Sequence, residues 1–386
     1  MSAWPTAFLG DVCRVRRGSV ITQKKATHGD VPVIAGGIGP AYYHNTANRE
    51  ANVITVSGSG ANAGFVNFFD RSIWASDCST IEPNDEALDV GYVHLFMLNM
   101  QRFINDNFRQ GAAQPHVYPK DLARLEIPLP PLQEQRRIVA EMNQAFAALD
   151  RARANAEANL ADAEELLALS TDALCADTGD GWTFGLMGDH CSFEGGYAFK
   201  SGDAVDNSNV QVVRIGNLYK NVLDLDRKPA FYPTSFADEY SRFRLRSGDI
   251  ILSLTGTVGK QDYGFAVEVP KCERALLLNQ RVARISPKDN DRLTSRFLLR
   301  LLRSKSFVTR LYKISRGTRQ ANLSTKDIAG LEIALPPLSK QKEIAKQLQV
   351  IDDHTETLAA SYLAQSADLS DLRQSILQKA FAGEPT

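Results

Sequence analysis

The chain has 386 residues, of which 44% are hydrophobic and 23% are charged, and its formal net charge at pH 7 is −1. This composition is typical of a globular protein with two or three domains, and it excludes fibrous and disordered classes. No apolar run approaches the roughly 20 residues of a membrane helix, and the N-terminus lacks the regions of a signal peptide, so we expect a cytoplasmic protein. The five cysteines stand singly without CxxC spacing, which predicts neither a zinc site nor a disulfide framework.

Residues 1–130 are predicted to form an α+β globule. Short apolar or β-branched runs at 53–56 and 64–68 predict strands, and the stretch 92–104 predicts a helix. The glycine-rich segment VITVSGSGANAG at 53–64 has some likeness to a nucleotide-binding loop, but a strand pattern, FVNFFD, follows it where that motif would open a helix. We therefore predict a hairpin-type loop at this place.

Residues 131–176 are predicted to form one long helix. Pro130 and Pro131 suit its first turn, and neither Pro nor Gly follows until Gly179. Apolar and small residues then step by alternating fours and threes, as in the seam of a coiled coil. The seam positions are Ile138, Met142, Ala145, Leu149, Ala152, Ala156, Asn159, Ala163, Leu166 and Ser170.

Residues 182–336, after a linker at 177–181, are predicted to form a second α+β globule. Strand-like runs lie at 210–215 and 249–254, and a helical pattern covers 295–312.

Residues 337–382 repeat the long helix. The phrases KDLARLEIPLPPLQEQRRI at 120–138 and KDIAGLEIALPPLSKQKEI at 326–344 share 12 of 19 residues and lie 206 positions apart, which indicates a duplicated chain. The second seam positions are Ile344, Leu348, Ile351, Thr355, Leu358, Tyr362, Gln365, Leu369, Leu372 and Ile376.

The two long helices are predicted to pair with each other. About 45 residues at 1.5 Å each give a rod of roughly 65 Å, which is longer than a small domain is wide. The alternative is that each helix packs only against its own globule. Antiparallel pairing supplies a partner of matched length, and Asn159 and Gln365 in the seam would fix one register. The predicted fold class is α+β: two tandem globules, each followed by a long helix, with the helices in an antiparallel coiled coil of pseudo-two-fold symmetry.

Charge is divided unevenly between the two globules. Residues 1–130 carry 11 Lys and Arg against 12 Asp and Glu, a net charge of −1, whereas residues 182–336 carry 24 against 16, a net charge of +8. A basic excess of this kind favours nucleic-acid binding by the second globule. Arg296, Arg300 and Arg303 are spaced to share one helix face, which is either a solvated face or a DNA-binding face.

Two loops at equivalent places in the repeat are the best candidates for DNA contact. They carry Arg, Gln and Asn, whose geometry suits base edges and phosphates, around a glycine that permits close approach. The second loop offers Arg316, Thr318, Arg319, Gln320 and Asn322, and the first offers Arg109, Gln110, Gln114 and His116. The glycine-rich segments add Ser57, Ser59 and Asn62, and Lys260 from TGTVGK at 255–260.

The sequence contains no motif for catalysis. It lacks HExxH, GxSxG, kinase signatures, a P-loop and any Cys/His cluster. We therefore predict no catalytic residue, no cofactor site and no metal site in this chain.

The doubled phrases LPPLQEQRRI and LPPLSKQKEI, together with GDIILS at 248–253 and the loops GAAQPHVYPKDL and GTRQANLSTKDI, resemble the specificity subunit of type I restriction-modification enzymes. The resemblance covers essentially the whole chain. It implies a target recognition domain at 1–130, a spacer helix at 131–176, a second target recognition domain at 182–336 and a second spacer helix at 337–382.

The resemblance also implies a function. Each recognition domain would read one half of a bipartite target in double-stranded DNA, and the helices would set the distance between the halves. Two methyltransferase subunits carrying S-adenosylmethionine would bind to the chain and methylate adenine N6, and ATP-dependent restriction subunits would join them. The alternatives are a stand-alone DNA-modifying enzyme and a protein adaptor that never contacts DNA.

Overall fold

The computed structural model describes residues 4–111, 113–176 and 179–382. The chain divides into two compact units, one comprising Met1–Glu157 with Tyr362–Thr386 and the other comprising Ala158–Ser361. Each unit contains one globule and parts of both long helices. The predicted domain boundaries, which treat each long helix as a segment of its own, divide the chain differently and stay a prediction.

The first globule contains nine strands and four short helices among the described residues. The strands are β1 Thr6–Phe8, β2 Cys13–Arg17, β3 Val31–Ile34, β4 Tyr42–His44, β5 Val53–Ser57, β6 Val66–Phe69, β7 Trp74–Ala75, β8 Cys78–Pro83 and β9 Glu126–Pro128. The helices are α1 Leu9–Val12, α2 Val90–Asn99, α3 Gln101–Asn107 and α4 Pro119–Leu122, with a 3₁₀ turn at Gln23–Lys25. The first spacer helix, α5, follows at Leu132–Ala176.

An antiparallel four-stranded sheet forms the centre of the first globule, in the order β2-β8-β5-β6. A second sheet has the order β4-β3-β7, with β3 and β7 parallel, and β1 pairs with β9. All five residues of β5 are buried, including the polar Thr55 and Ser57. Helix α2 buries Tyr92 and Phe96 in the same core as Ile54 and Ile81 of the large sheet.

The second globule contains thirteen strands and five short helices in the part of the chain that is described. The strands are β10 Thr183–Leu186, β11 Cys191–Gly195, β12 Val210–Val213, β13 Leu218–Tyr219, β14 Val222–Leu223, β15 Phe231–Tyr232, β16 Ile250–Ser253, β17 Thr255–Thr257, β18 Ala266–Glu268, β19 Ala275–Leu278, β20 Val282–Pro287, β21 Gln320–Asn322 and β22 Glu332–Leu335. The helices are α6 Met187–His190, α7 Phe236–Glu239, α8 Ser295–Arg303, α9 Lys305–Ile314 and α10 Thr325–Ala329, with 3₁₀ turns at Ser201–Asp203, Ile215–Asn217 and Ser241–Phe243. The second spacer helix, α11, is Leu338–Ala382.

The second globule repeats the sheets of the first. Its large sheet has the order β11-β20-β16-β18, its smaller sheet has the order β15-β12-β19 with β12 and β19 parallel, and β10 pairs with β22. Equivalent hydrogen bonds recur in the two globules: Ser57 N donates to Phe65 O as Ser253 N donates to Phe265 O. The predicted duplication is therefore present in the tertiary structure, and the predicted α+β class is confirmed.

Each predicted helical stretch at the end of a globule is two helices. The first stretch breaks at Met100, between α2 and α3. The second breaks at Ser304, whose extended backbone ends α8 and whose hydroxyl accepts from Phe307 N to cap α9. Serine competes with the helix for backbone hydrogen bonds and favours such caps, which explains the break.

A buried glutamine fixes the start of each spacer helix. The Gln135 side chain accepts from Asp89 N (2.8 Å) and donates to the carbonyls of Ala87 (3.2 Å) and Pro130 (2.9 Å). Gln341, 206 positions later, makes the same three bonds to Thr294 N (2.9 Å), Arg292 O (2.7 Å) and Pro336 O (3.0 Å). The repeated Gln of the Pro-Pro-Leu phrases thus ties each spacer helix to the N-cap residue of α2 or α8.

The two spacer helices are antiparallel in the first unit. Arg373 lies over the ring of Phe146 (4.1 Å to the centroid) and pairs with Asp150 (3.3 Å), while Tyr362 donates to Glu157 (2.6 Å). Partner numbers fall along α11 as they rise along α5. The end of α11 enters the first globule, where Phe381 contacts the rings of Tyr92 (5.1 Å) and Phe96 (5.7 Å).

The second unit contains the reciprocal arrangement. Here the end of α5 enters the core of the second globule, where Cys175 clusters with Ile344 and Leu348 of α11. Cys175 lies 206 positions before Phe381, so matching positions of the two helices enter the two cores. Burial raises the pKa of the Cys175 thiol to about 12, so that it packs as a neutral group. The predicted antiparallel pairing is confirmed, and the pseudo-two-fold relation stays a prediction.

Only every second position of the predicted seam is buried or partly buried in the middle of the two helices, and the positions between them are wrong. Leu166, Leu358 and Leu372 are 56%, 41% and 47% exposed, and Asn159 and Gln365 are also exposed, so these two residues do not fix the register. The other half of the seam is at least partly buried, as predicted, at Ala156, Ala163 and Ser170 in α5 and at Thr355, Tyr362 and Leu369 in α11. The exposed positions are replaced by the partly buried residues Leu160 and Leu167 in α5 and Ala359, Ser366 and Arg373 in α11. The buried face is shifted by one residue at these positions, from Leu358 to Ala359 and from Leu372 to Arg373. The reason is that a nearly straight helix of 3.6 residues per turn drifts away from a strict heptad.

Within the described ranges, no helix is both long enough and apolar enough to cross a membrane.

Candidate nucleic-acid interface

The two predicted reading loops are built alike. Gln110 and His116 exchange backbone hydrogen bonds of 2.9 and 2.8 Å, and Arg316 and Asn322 exchange bonds of 3.0 and 2.8 Å. Each pair closes a seven-residue loop at the same position of the repeat. We call residues 110–116 the first reading loop and residues 316–322 the second; Ala112 of the first lies outside the described residues.

A glycine is required inside each loop. Gly111 has a φ of +99° and Gly317 a φ of +125°, a backbone conformation that favours glycine. A Cβ at Gly111 would lie 2.9 Å from the Gln114 carbonyl oxygen, and one at Gly317 would lie 2.0 Å from the Gln320 carbonyl oxygen. The shared Gly and Gln of the two sequences therefore reflect one tight loop conformation.

The glycine-rich segments lie beside the reading loops. In the second globule β17 pairs antiparallel with β21, which joins residues 255–257 to residues 320–322. In the first globule Ser59 forms a bridge with His116, and Gly60 N donates to Pro115 O (3.0 Å). The segment at 53–64 connects the antiparallel strands β5 and β6, which confirms the predicted hairpin-type loop.

Most predicted contact residues of the second globule are accessible. Thr318, Arg319, Gln320 and Lys260 are exposed. Arg316 is also exposed and donates to Asp327 (3.0 Å), and Asn322 donates to the carbonyl of Gln320 (2.9 Å). Among the described residues, the side chains of Thr318, Arg319 and Gln320 have no hydrogen-bond or ion-pair partner, and they lie beside two that are already oriented.

Asp262 braces the segment that carries Lys260. Its carboxylate accepts from Thr257 N at 2.7 Å. Burial alone would raise the pKa of Asp262, but the hydrogen bonds from Thr257 lower it below its ordinary value. A Cβ at Gly256 would lie 2.4 Å from the Asp262 carboxylate, so this glycine allows the brace to form.

The first globule offers a less basic set. Arg109 is exposed and donates to the Ala61 carbonyl (2.7 Å), and Gln110 donates to Asp121 at 3.3 Å. Gln114 and Asn62 are exposed, and His116 is half-buried and stacked on Tyr118 at 6.1 Å.

Two predicted serines play different parts. Ser57 is 3% exposed, and its hydroxyl donates to the Gly37 carbonyl (3.1 Å), so it supports the loop and is not available to DNA. Ser59 is half-buried and donates to the Asp77 carboxylate.

The reading loops reveal positions that the sequence did not identify. Gln110 and Arg316 each bind a carboxylate 11 residues further on, Asp121 and Asp327, which orients the first side chain of each loop. Asp77 and Arg281 also occupy matching positions, because Gly58 N donates to Asp77 O (3.0 Å) as Leu254 N donates to Arg281 O (2.9 Å). One site is acidic and its counterpart is basic.

The three arginines of α8 do not form one DNA-facing or solvated surface. Arg296 is exposed, but the Arg300 side chain is 6% exposed and pairs with Asp352 of α11 (2.6 Å) and with Gln349 (2.9 Å). Arg303 donates to the carbonyls of Ala266 (2.9 Å) and Asn221 (3.1 Å), and burial lowers its pKa. Arg300 therefore docks the spacer helix onto the globule, and Arg303 ties α8 to neighbouring backbone.

Among the described residues, no group of His, Cys, Asp and Glu has the arrangement of a metal site. The candidate interface is therefore a set of exposed donors and acceptors on braced loops, which suits binding and offers no evident reaction centre.

Comparison with known proteins agrees with this geometry. The model of the type I restriction modification DNA specificity domain matches residues 1–159 and 179–364. The MjaVIII specificity subunit of Methanocaldococcus jannaschii is 26% identical over 318 residues, covering 79% of this chain and 73% of its own. The EcoBI specificity subunit of Escherichia coli is 21% identical over 354 residues, covering 82% and 72%.

Solved structures share the fold. A chain from a study of complex assembly and conformational transition of the type I restriction-modification system aligns with a TM-score of 0.72 at 21% identity, covering 99% of this chain and 98% of that one. The HsdS subunit of Thermoanaerobacter tengcongensis aligns with a TM-score of 0.53 at 21% identity, covering 99% and 97%. With the family model matching most of its length in two copies, the chain belongs to the type I restriction-modification DNA specificity family.

Proposed function

We propose that this chain is the non-catalytic subunit that recognises a bipartite DNA sequence and positions methyltransferase subunits on it. Each globule reads one half-site, and the paired spacer helices set the gap between the halves. A gap of about one helical turn, roughly 34 Å, is the geometric expectation for two such modules on one face of a duplex.

One observation carries the proposal. The two globules hold loops with the same closing hydrogen bonds and the same positive-φ glycine, yet with different exposed side chains. A common scaffold with variable side chains is what a protein needs to read two unlike sequences, since base edges are distinguished by the pattern of donors and acceptors opposite them.

The exposed side chains divide by role. Arg319 and Gln320 have the chemistry to bond guanine and adenine edges in the major groove, while Lys260 suits a phosphate. Arg316 and Gln110 are held by carboxylates, so they would meet DNA already oriented and lose less conformational entropy on binding.

The partners follow from the proposed reaction. Two methyltransferase subunits supply S-adenosylmethionine and flip an adenine out of each half-site, because N6 chemistry cannot reach a base inside the stack. ATP-dependent restriction subunits join the same complex, and no cofactor is expected on this chain. A cytoplasmic location stays a prediction.

A loop exchange tests the reading role. The complex of this chain with its methyltransferase would be reconstituted, and methylated adenines would be mapped in genomic DNA by single-molecule sequencing. Replacing residues 316–322 by the sequence of residues 110–116 should change one half-site and leave the other half-site and the gap unaltered. The reciprocal exchange is the matched control and should change the opposite half.

A target that survives both exchanges unaltered would contradict the reading role of the loops. Methyl transfer by this chain alone, measured with labelled S-adenosylmethionine, would instead favour the stand-alone enzyme. Absence of any salt-dependent DNA binding by the complex would favour the adaptor.

A further inference from the structure

A cavity of about 380 Å³ in the second globule is lined by three cationic side chains, Arg214, Lys228 and Arg281. All three residues are exposed. In the described part of the chain, none of them lies within ion-pair distance of a carboxylate, whereas Arg274, Arg284 and Arg292 of the same globule all do. The cavity therefore presents positive charge that the protein itself does not neutralise.

The backbone around the cavity holds the Arg214 side chain and fixes the main chain that carries Lys228. The Arg214 guanidinium donates to the Lys228 carbonyl at 2.8 Å. Asn217, which is buried, donates to the carbonyls of Asp224 and Arg227 (3.0 Å each) and so fixes the loop that leads to Lys228. Lys228 has a φ of +47°, a conformation that non-glycine residues adopt only when their surroundings impose it. The Arg214 guanidinium and the backbone at Lys228 are therefore positioned before a ligand arrives.

The cavity adjoins the second reading loop. Leu254 N donates to the Arg281 carbonyl (2.9 Å), and Leu323 N donates to the Leu254 carbonyl (2.8 Å), so Arg281 is one strand away from the end of the loop. Thr255, which follows Leu254 and pairs with Asn322, has a buried hydroxyl without a hydrogen-bond partner among the described residues. DNA lying on the loop would pass close to the three cations.

In the described part of the first globule, the positions that match Arg281 and Arg214 are not cationic. Asp77 is the counterpart of Arg281, and its carboxylate accepts from Ser59, the counterpart of Thr255. Ser76 N donates to Ile34 O (2.8 Å) as Asn279 N donates to Val213 O (3.2 Å), so Ala35 matches Arg214. The second globule is also the more basic one as a whole, with a net charge of +8 against −1 for the first.

We propose that this cavity binds phosphates of the DNA backbone beside the half-site read by the second globule. The second globule would then anchor the complex on DNA of any sequence, while the first would depend on correct base contacts. This inference rests on the proposed function and adds a division of labour between the two globules.

A phosphate fits the cavity better than a base does. Guanidinium and ammonium groups without carboxylate partners suit a full negative charge, and Arg and Lys bind phosphate oxygens with little demand on the base sequence. A site that reads bases would be expected to offer both donors and acceptors. At the position where the first globule has the acceptor Asp77, this cavity has the donor Arg281.

The test measures the salt dependence of binding. The complex of this chain with its methyltransferase would be titrated with a duplex carrying the target and with a scrambled duplex, from about 50 to 200 mM salt. Arg281→Ala is the main variant, because the hydrogen bonds that the structure describes for Arg281 are made by its backbone. It should weaken binding to both duplexes by about three- to tenfold and reduce the slope of log K against log salt by about 0.9, with the methylated sequence unchanged.

Two further variants sharpen the result. Asp77→Arg should raise the affinity of the first globule for both duplexes and steepen the slope by a similar amount. Arg292→Ala removes a cation outside the cavity and keeps the backbone carbonyl of residue 292, which accepts from Gln341 at the start of α11. It should leave the slope unchanged.

An unchanged slope for Arg281→Ala, with wild-type binding intact, would overturn this inference and leave the proposed function standing. A changed target sequence would also overturn it, because Arg281 would then be a base reader. If the wild-type complex does not bind DNA, both proposals fail together.

Discussion

The first unit buries Leu95 and Phe146 in one apolar core, whereas the second unit places the ion pair of Arg300 and Asp352 at the matching positions. The helix starts establish which residues match, since Asp89 N donates to Gln135 as Thr294 N donates to Gln341. The two copies therefore keep the backbone of the junction between globule and spacer helix and exchange its chemistry. An apolar contact and a well-bonded ion pair are interchangeable there as long as both partners change together.

The two reading loops and the segments beside them also keep the backbone and exchange side chains. Gln110 and Arg316 both bind an aspartate, while Asp77 and Arg281 reverse the charge of one position. What the copies share is the main-chain framework that holds the loops, and what they vary is the set of side chains that DNA would meet.

The largest expected effect comes from breaking the ion pair at the second junction. Asp352→Ala leaves the buried Arg300 guanidinium without its charge partner, which should lower the free energy of unfolding by about 3 to 5 kcal/mol. The double variant Arg300→Leu with Asp352→Phe copies the first junction and should recover most of that loss. Urea unfolding of the full chain measures both, and a double variant as unstable as the single one would refute the interchangeability of the two junctions.

Gln135 and Gln341 make equivalent hydrogen bonds, so replacing each of them tests whether the two copies lose the same free energy of unfolding. Gln341→Leu removes partners from Thr294 N and from the carbonyls of Arg292 and Pro336, of which only the bond to Pro336 is fully buried. It should cost about 2 to 4 kcal/mol, because three backbone groups lose their partner at once. Gln135→Leu should cost the same within about 1 kcal/mol. The comparison uses hydrogen exchange of the amides of α2 and α8, and a clear inequality would mean that the two helix starts are held differently.

A half-buried histidine should make the first unit the more acid-sensitive one. Burial, assisted by Arg373, lowers the pKa of His94 to about 4, whereas the matching residue of the second unit is Leu299. Between pH 6.5 and 4 the unfolded chain binds a proton that the folded chain does not, so stability is complete above pH 6.5 and falls as the pH drops toward 4, by up to about 3 kcal/mol.

The measurement is amide exchange in Val90–Asn99 as a function of pH. His94→Leu, which copies the second unit, should flatten the dependence, and His354→Leu, a change at an exposed position of α11, should not. If the His94→Leu variant keeps the full acid sensitivity, another group is responsible.

The sequence predicted the fold and the reading loops because the repeat is regular where those features lie. From Gln110 and Arg316 onward, matching residues are 206 apart, so the loops and the starts of the spacer helices could be aligned by eye. Asp77 and Arg281 could not be aligned, because loops of different length shift the offset: Cys13 and Cys191 are 178 apart, and Ser57 and Ser253 are 196 apart.

The sequence also could not predict which side chains of the helices are buried. Arg300 follows the spacing of an exposed basic face, and its carboxylate lies 52 residues further on, on another helix. Local periodicity carries no information about a partner that only tertiary packing supplies, and the same limit explains why Leu358 and Leu372 were predicted to be buried.

The smallest expected effect is at a single side chain of the second reading loop. Arg319 is exposed and has no described partner, and its counterpart in the first loop is Ala113. If Arg319 forms two hydrogen bonds to one guanine, Arg319→Ala should weaken binding to the target by about 1 to 3 kcal/mol and relax the preference at one base pair only, while binding to scrambled DNA changes little. Arg316→Gln, which reproduces the first loop, should keep its bond to Asp327 and alter a different base pair or none. Competition between duplexes that differ at single positions separates these outcomes: equal losses on every duplex would make Arg319 a phosphate contact, and the two globules would then differ in charge alone at this position.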